Sequence, residues 1–493
     1  GLHIHTTLDP FLQARAEEAR DVLPDNDAGI DAALTAIETK TGAIRAMVGG
    51  RGFEPGQNEV NLALAPSQTG SAIKMFILAA AIQAGATPDD IVDGTHPCRL
   101  PDPGNFEEPF FEIRGGVNGG VDTLRRHTVR SINCAYSRVA QIVGLHRMVD
   151  TIYRMAASPY LYRDQPPEDR GVLQPYGAMA IGANELSTLD MASGIQGIAN
   201  EGVHMSPYYV EYIDDWRGER IYTHFDPGTE VLDRQTALTA IDVLKGVLTS
   251  GTGRVLADFA GTTPAFGKTG TQQSNWTAMF VGATPYLSAA VLVRDPDGYT
   301  EMRNIPEFSA AGVDRVQGGT FPARIWGAFM ERVSLDRVGA DPDWEQPAPP
   351  ARKAARLFLP GVECVYEIVG YQTTTTLPVE VPADGGAPEG FRGPFAQTPP
   401  TDPEAPPETE APPPPTDPPT TPPTTAPEGP PATEPPPSTE SIPETTVTQV
   451  PTTTAPPVPI YGPAVSATTI PPDVLDPRVP LPSVPLTDVV RPC

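Results

Sequence analysis

The apolar positions change period several times along the first 370 residues. Residues 1–9 alternate as a short strand, and residues 10–20 switch to helical spacing, with Pro10 in the first turn and Asp9 placed to cap it. Alternation returns over 32–38 and 43–48 on either side of a Gly42 turn, which predicts a hairpin. Residues 71–84 are apolar nearly all round, the pattern of a helix buried at the centre of a domain. Residues 97–120 are rich in Gly and Pro and read as loop. Helices are expected over 122–144, 184–200 and 235–249, the last stopped by Gly251. Strands are expected over 207–213 and 219–225, and again over 264–271, 277–283 and 287–293, before a final helix over 322–333. A hairpin, then helices, then strands predict an α+β fold with an antiparallel sheet.

Composition shortens the folded part. Of 61 prolines in 493 residues, 25 lie in residues 1–370 and 36 in residues 371–493. From about 372 the chain is Pro, Thr, Glu and Ala, too poor in apolar side chains to offset the entropy of ordering, so it is expected to be disordered and extended. The whole chain has a net charge of -27, and residues 371–493, with 15 acidic and 3 basic residues, supply -12 of it. Such acidity excludes the electrostatic footprint of a nucleic-acid binder. No apolar run reaches the length of a membrane span; the longest, 75–82, suits a buried helix. The start at Gly1, directly on a strand, leads us to expect a fragment whose upstream part, with any anchor, is missing.

The basic residues narrow the chemistry. Only five of 34 are lysine: Lys40, Lys74, Lys245, Lys268 and Lys353. Arginine stays protonated, whereas a buried lysine can release its proton and act as a base. Ser71-Ala-Ile-Lys74 places a serine at a helix start with a lysine three residues on, on one face. A lysine with its pKa lowered by burial can take the serine proton. Lys268-Thr-Gly-Thr271 ends an expected strand; Lys268 with the Thr269 and Thr271 hydroxyls can bind a carboxylate, and Gly270 lets a substrate backbone approach. Lys40-Thr41-Gly42 repeats three of those letters inside the first hairpin and is assigned to its turn. Between the two motifs lies Ser131-Ile-Asn133, a hydroxyl able to relay protons and an amide able to hold a peptide. The seven histidines show no metal-binding spacing, so neither metal nor cofactor is expected.

The order Ser-x-x-Lys, Ser-x-Asn, Lys-Thr-Gly resembles the signature set of penicillin-binding proteins and serine β-lactamases. Residues 1 to about 335 resemble the transpeptidase half of a class A, bifunctional penicillin-binding protein. The likeness rests on Gly1 to Gln13, Gln68-Thr-Gly-Ser-Ala-Ile-Lys74, Ile181-Gly-Ala-Asn-Glu-Leu-Ser187, Ile198-Ala-Asn-Glu-Gly202, Phe266-Gly-Lys-Thr-Gly-Thr271, Phe280-Val-Gly-Ala-Thr-Pro285 and Gly318-Gly-Thr-Phe-Pro-Ala323. Met75, where the family often has proline, and Thr277-Ala-Met-Phe280, where it has Asp-Ala-Trp-Phe, depart from it. The resemblance implies an antiparallel sheet flanked by helices with an all-helical subdomain. It implies Ser71 as nucleophile, Lys74 as general base, and Ser131 with Lys268 as the proton path to the leaving amine. Asn133 would bind the peptide amide, Thr269 and Thr271 would hold the terminal carboxylate, and Gly270 would let the substrate backbone approach. The implied substrates are peptidoglycan stem peptides ending in D-Ala-D-Ala, and the implied covalent inhibitors are β-lactams. The implied partners are the cell-wall synthesis machinery, on the extracytoplasmic face of a bacterial membrane, with membrane contact only through the missing N-terminal anchor.

Two other readings share Ser71 and Lys74: a D,D-carboxypeptidase or β-lactamase-like hydrolase, and a penicillin-binding sensor or wall-anchoring protein without turnover. Ile132 in the middle of Ser-x-Asn, where class A β-lactamases carry aspartate, weighs against the hydrolase. Four cysteines outside the cytoplasm allow three pairings. A Cys98–Cys134 bridge bracing the Ser-x-Asn segment is the favoured one; a buried free thiol at Cys134 is the alternative. Trp276, Trp326 and Phe280 are expected to pack rather than bind. The expected organisation is a linker over 1–30, a transpeptidase domain over 31–340, a C-terminal extension over 341–371 and the tail over 372–493.

Overall fold

A computed structural model describes residues 1–52, 59–102, 109–156, 173–336 and 342–359. These lie in one of the two units into which the chain divides, residues 1–369 with 480–493. The other unit, 370–479, and with it the expected tail, lies outside the described residues.

The central element is a five-stranded antiparallel sheet in the order Phe266–Thr271, Thr277–Ala283, Leu287–Arg294, Asp31–Glu38, Ile44–Val48. Phe280, Val291 and Leu34 stand side by side across three strands. Their face receives the Phe321–Asp336 helix, whose Trp326 ring meets Phe280 edge-on at 5.3 Å and donates its indole N–H to Gly282 O. Side chains alternate across a strand, so Thr35 faces the other way, and its hydroxyl lies 2.7 Å from that of Thr188 at the start of the Thr188–Ala199 helix. Covered on both faces, Asp31–Glu38 and Leu287–Arg294 are buried along almost their whole length. Phe266–Thr271 is an edge strand.

The first helix, Pro10–Arg20, starts where Asp9 accepts from the N–H groups of Phe11 and Leu12, and it buries Leu12, Ala16 and Ala19. Leu2–Thr6 pairs with Val210–Asp215, which pairs with Arg220–Thr223, as a separate three-stranded sheet. Lys40–Gly42 is the turn of the first hairpin, with Gly42 at φ 79°.

The fold departs from the sequence reading in four places. The expected helix over 122–144 is broken into Val121–Thr123, a strand, and the helices Leu124–Val129 and Asn133–Val143. At the break Ser131 sits at φ 58°, with its N–H on Thr128 O and that of Ile132 on His127 O. The Gly/Pro-rich stretch contains a hairpin, Cys98–Pro101 against Phe110–Ile113. The expected helix over 71–84 begins as a 3-10 turn, Gly70–Ile73, and becomes α only over Lys74–Gln83. A helix over Leu145–Met155 was not expected.

Beyond the last helix, residues 342–359 run back over the helical side. The buried Trp344 donates its indole N–H to Ala199 O at 2.7 Å, Lys245 pairs with Asp343, Arg352 clamps Asp90 and Gly85 O, and Leu357 and Leu359 are buried.

Candidate active site

The helix carrying Lys74 is buried from Lys74 through Ala81 and packs against the Asn133–Val143 and Arg234–Thr249 helices. Such burial fits its apolar sequence and removes water from both ends of the Lys74 side chain. Ser71 stands one 3-10 turn earlier, half-buried. In a 3-10 turn residues i and i+3 eclipse, so Ser71 and Lys74 face the same way.

The edge strand closes onto this turn by backbone contact. A Cβ on Gly270 would lie 2.1 Å from Thr69 O, and one on Gly70, at φ 53°, would lie 2.6 Å from the backbone of Thr271. Only hydrogen at both positions permits that approach. Thr277, at the family's usual aspartate position, ties the next strand to the same place through its hydroxyl on Gln68 O at 2.8 Å.

Two lysines and one serine then converge. Lys74 Nζ donates to Asn133 Oδ1 at 2.7 Å and to Ser131 O at 2.8 Å, and lies 3.5 Å from Ser131 Oγ. Lys268 Nζ donates to Ser131 Oγ at 2.8 Å and to Thr269 O at 2.9 Å. The left-handed backbone at Ser131 is what turns both its carbonyl and its hydroxyl to the lysines. Non-glycine residues take that conformation at a cost of about 1–3 kcal/mol, and such residues cluster at working sites.

Both lysines are fully buried, and among the described residues neither pairs with a carboxylate. Burial pushes Lys74 well below the usual lysine pKa, and the neighbouring Lys268 lowers it further. Burial alone lowers Lys268 to about 7. A neutral Lys74 amine is a base held against Ser131 and Asn133. Its Nζ lies 5.4 Å from the Tyr136 ring, and the Tyr136 hydroxyl is held at 2.6 Å by Thr128.

A disulfide joins Cys98 of the hairpin to Cys134, the residue after Asn133. It closes a 36-residue separation around the strand and helix that lead to Ser131. Replacing both cysteines by alanine is expected to cost about 3–4 kcal/mol by the loop-entropy relation, read as a lower melting temperature that added reductant no longer changes. A melting temperature equal to that of the unsubstituted protein would refute this.

At the end of the edge strand, Thr271 Oγ1 accepts the N–H of Gly318 at 3.0 Å, and Thr269 Oγ1 lies 2.6 Å from the hydroxyl of Thr252. Thr252 was missed in the sequence, where Gly251 was read only as a helix stop. Trp326 and Phe280 pack in the core, but Trp276 stays at the surface, tilted against Tyr299 at 5.4 Å. The eight expected site residues, Ser71, Lys74, Ser131, Asn133, Lys268, Thr269, Gly270 and Thr271, thus lie on three segments that meet: the turn at Gly70–Ile73 with Lys74, the corner at Ser131 to Asn133, and the edge strand Phe266–Thr271.

The family described as penicillin binding protein transpeptidase domain matches residues 32–303, more than half of the chain. The chain belongs to the penicillin-binding protein transpeptidase family. It is 28% identical over 348 residues to penicillin-binding protein 1A of Aquifex aeolicus, covering 68% of this chain and 42% of that one. It is 29% identical over 348 residues to penicillin-binding protein 1A of Mycolicibacterium smegmatis, covering 67% and 41%. The chain therefore spans about two-fifths of the length of these curated relatives. In fold it is similar to the penicillin-binding protein PonA1 from Mycobacterium tuberculosis, with a TM-score of 0.60 at 24% identity over 72% of this chain and 90% of that one. The same PonA1 protein has been solved in complex with penicillin V, with a TM-score of 0.59 at 24% identity over 72% and 91%. The penicillin-binding protein transpeptidase match ends before the Phe321–Asp336 helix and the 342–359 segment, both of which pack into the same core. Among the described residues no helix is long and apolar enough to cross a membrane.

Proposed function

We propose that the protein is a serine D,D-transpeptidase that cross-links peptidoglycan stem peptides. The observation that carries this reading is the convergence on Ser131 of two buried lysines that, among the described residues, pair with no carboxylate: Lys74, one helical turn from Ser71, and Lys268, on an edge strand. Ser71 Oγ attacks the carbonyl of the penultimate D-Ala, and its proton passes to Lys74 Nζ. The N–H groups of Ser71 and Thr271 hold the developing oxyanion. Collapse of the tetrahedral intermediate breaks the peptide bond, and the departing D-Ala amine takes a proton from Ser131 Oγ, which is resupplied with the Ser71 proton by Lys74 Nζ and is hydrogen-bonded by Lys268. The stem peptide lies along Phe266–Thr271 as an added strand, with Asn133 on its amide and Thr269 and Thr271 on its carboxylate. An amine from a second stem peptide then takes the acyl group from Ser71.

A β-lactam enters the same path and stays as an acyl-enzyme. The penicillin V bound to the similar PonA1 protein supports this reading.

The test is product analysis with a D-Ala-D-Ala stem peptide and an added amine acceptor. A cross-linked dimer together with released D-Ala is expected. Released D-Ala with only the trimmed monomer would make the protein a carboxypeptidase. A stable penicillin adduct with no peptide turnover would make it a sensor.

A further inference from the structure

The Arg234–Thr249 helix ends in Ser250-Gly251-Thr252-Gly253, and this loop reaches both walls of the cleft. The Thr252 N–H donates to Val129 O at 3.3 Å, two residues before Ser131. Gly251 lies against the same carbonyl, where a Cβ would come within 2.5 Å of it. On the other side the Thr252 hydroxyl meets that of Thr269 at 2.6 Å. Thr269 is buried, but Thr252 is exposed. Of the paired hydroxyls, the one at the solvent side is therefore on a residue outside the Lys-Thr-Gly motif.

Two hydroxyls in one hydrogen bond share a single proton between their oxygens and leave the other O–H free. If Thr252 donates, the Thr269 proton is free for a ligand and is polarised by the bond it accepts. If Thr269 donates, the free proton is that of Thr252 itself. In either arrangement Thr252 adds a donor, or strengthens one, at the place where a carboxylate meets the Lys268 strand.

We infer that Thr252 is a further specificity-determining residue, acting with Thr269 to recognise the terminal carboxylate of the stem peptide or the equivalent carboxylate of a penicillin. This rests on the transpeptidase reading and extends it to a residue of the Arg234–Thr249 helix end. The loop also fixes the spacing between the carboxylate site and Ser131, because it holds Val129 and Thr269 at the same time.

The test compares second-order acylation rate constants for benzylpenicillin and for its methyl ester, which lacks the carboxylate charge. Thr252→Val should slow acylation by benzylpenicillin roughly tenfold or more, the worth of a hydrogen bond to a charged group. Its slow acylation by the ester should stay within about twofold, and Thr252→Ser should restore the benzylpenicillin rate. Equal losses on both compounds would mean that Thr252 only supports the fold, and an unchanged benzylpenicillin rate would mean it has no part in recognition; either overturns the inference. Should Thr252→Val melt early, Thr252→Ala carries the same comparison. Absence of labelling in the unsubstituted protein would overturn the transpeptidase reading itself, and this inference with it.

Discussion

Ser71→Ala is expected to abolish covalent labelling by a fluorescent penicillin while leaving the melting temperature within about 1 °C. The side chain is half-buried at the start of the Lys74 helix, and its removal leaves no large cavity and breaks no hydrogen bond described above. The expected loss is therefore complete in the chemistry and nearly invisible in stability. Labelling that persists in Ser71→Ala, read on a denaturing gel, would transfer the nucleophile to another residue. Ser131 would be the next to examine, because Lys268 Nζ already lies 2.8 Å from its Oγ.

Lys74→Met should slow acylation by about 10²–10⁴-fold, the usual contribution of a positioned general base. The length and apolar stem of methionine preserve the helix packing, so the loss isolates the amine. The pH dependence gives the sign. As the proposed general base, Lys74 would act only when neutral, and its pKa is lowered by burial first and by Lys268 second. The acylation rate of the unsubstituted protein should therefore fall as pH drops through that lowered pKa and stay high above it. In Lys74→Met this acid limb should vanish. Lys268 adds a second, separable event near pH 7. Its protonation below about 7 places a cation beside Lys74, which holds Lys74 neutral to lower pH and moves the Lys74 limb further down the scale. A rate independent of pH in the unsubstituted protein, or an acid limb retained in Lys74→Met, would remove Lys74 from the role of base.

The parts of this site differ in how far they were readable in the chain. Ser71 and Lys74 were legible because spacing and burial coincide there. An apolar run with one lysine in it admits few structures, and only the 3-10 start went unforeseen. The strand around Lys268 was legible from its apolar partners over 277–283 and 287–293, which alternate little because helices cover both faces. Ser131 was legible as a polar residue but not as a corner. Residues 122–144 keep helical spacing throughout, and a serine in left-handed backbone leaves no mark in composition. The break is imposed by packing, through the carbonyls of His127 and Thr128 and the bridge at Cys134. Thr252 was illegible for a related reason: a Gly-Thr-Gly loop after a helix announces a stop and says nothing about which distant hydroxyl it meets. The hairpin at Cys98–Pro101 was hidden by the Gly and Pro around it, and the 342–359 segment by the wide spacing of Trp344, Leu357 and Leu359.

The backbone seam between Gly70 and Gly270 also sets how freely this part of the chain can vary. Any side chain at Gly270 strikes Thr69 O, and any at Gly70 strikes Thr271, so substitutions at either glycine displace the turn that carries Ser71. A scan of substitutions along the chain should therefore find both glycines intolerant, while the exposed Trp276 and Tyr299, which meet only at the surface, exchange with little effect on the melting temperature.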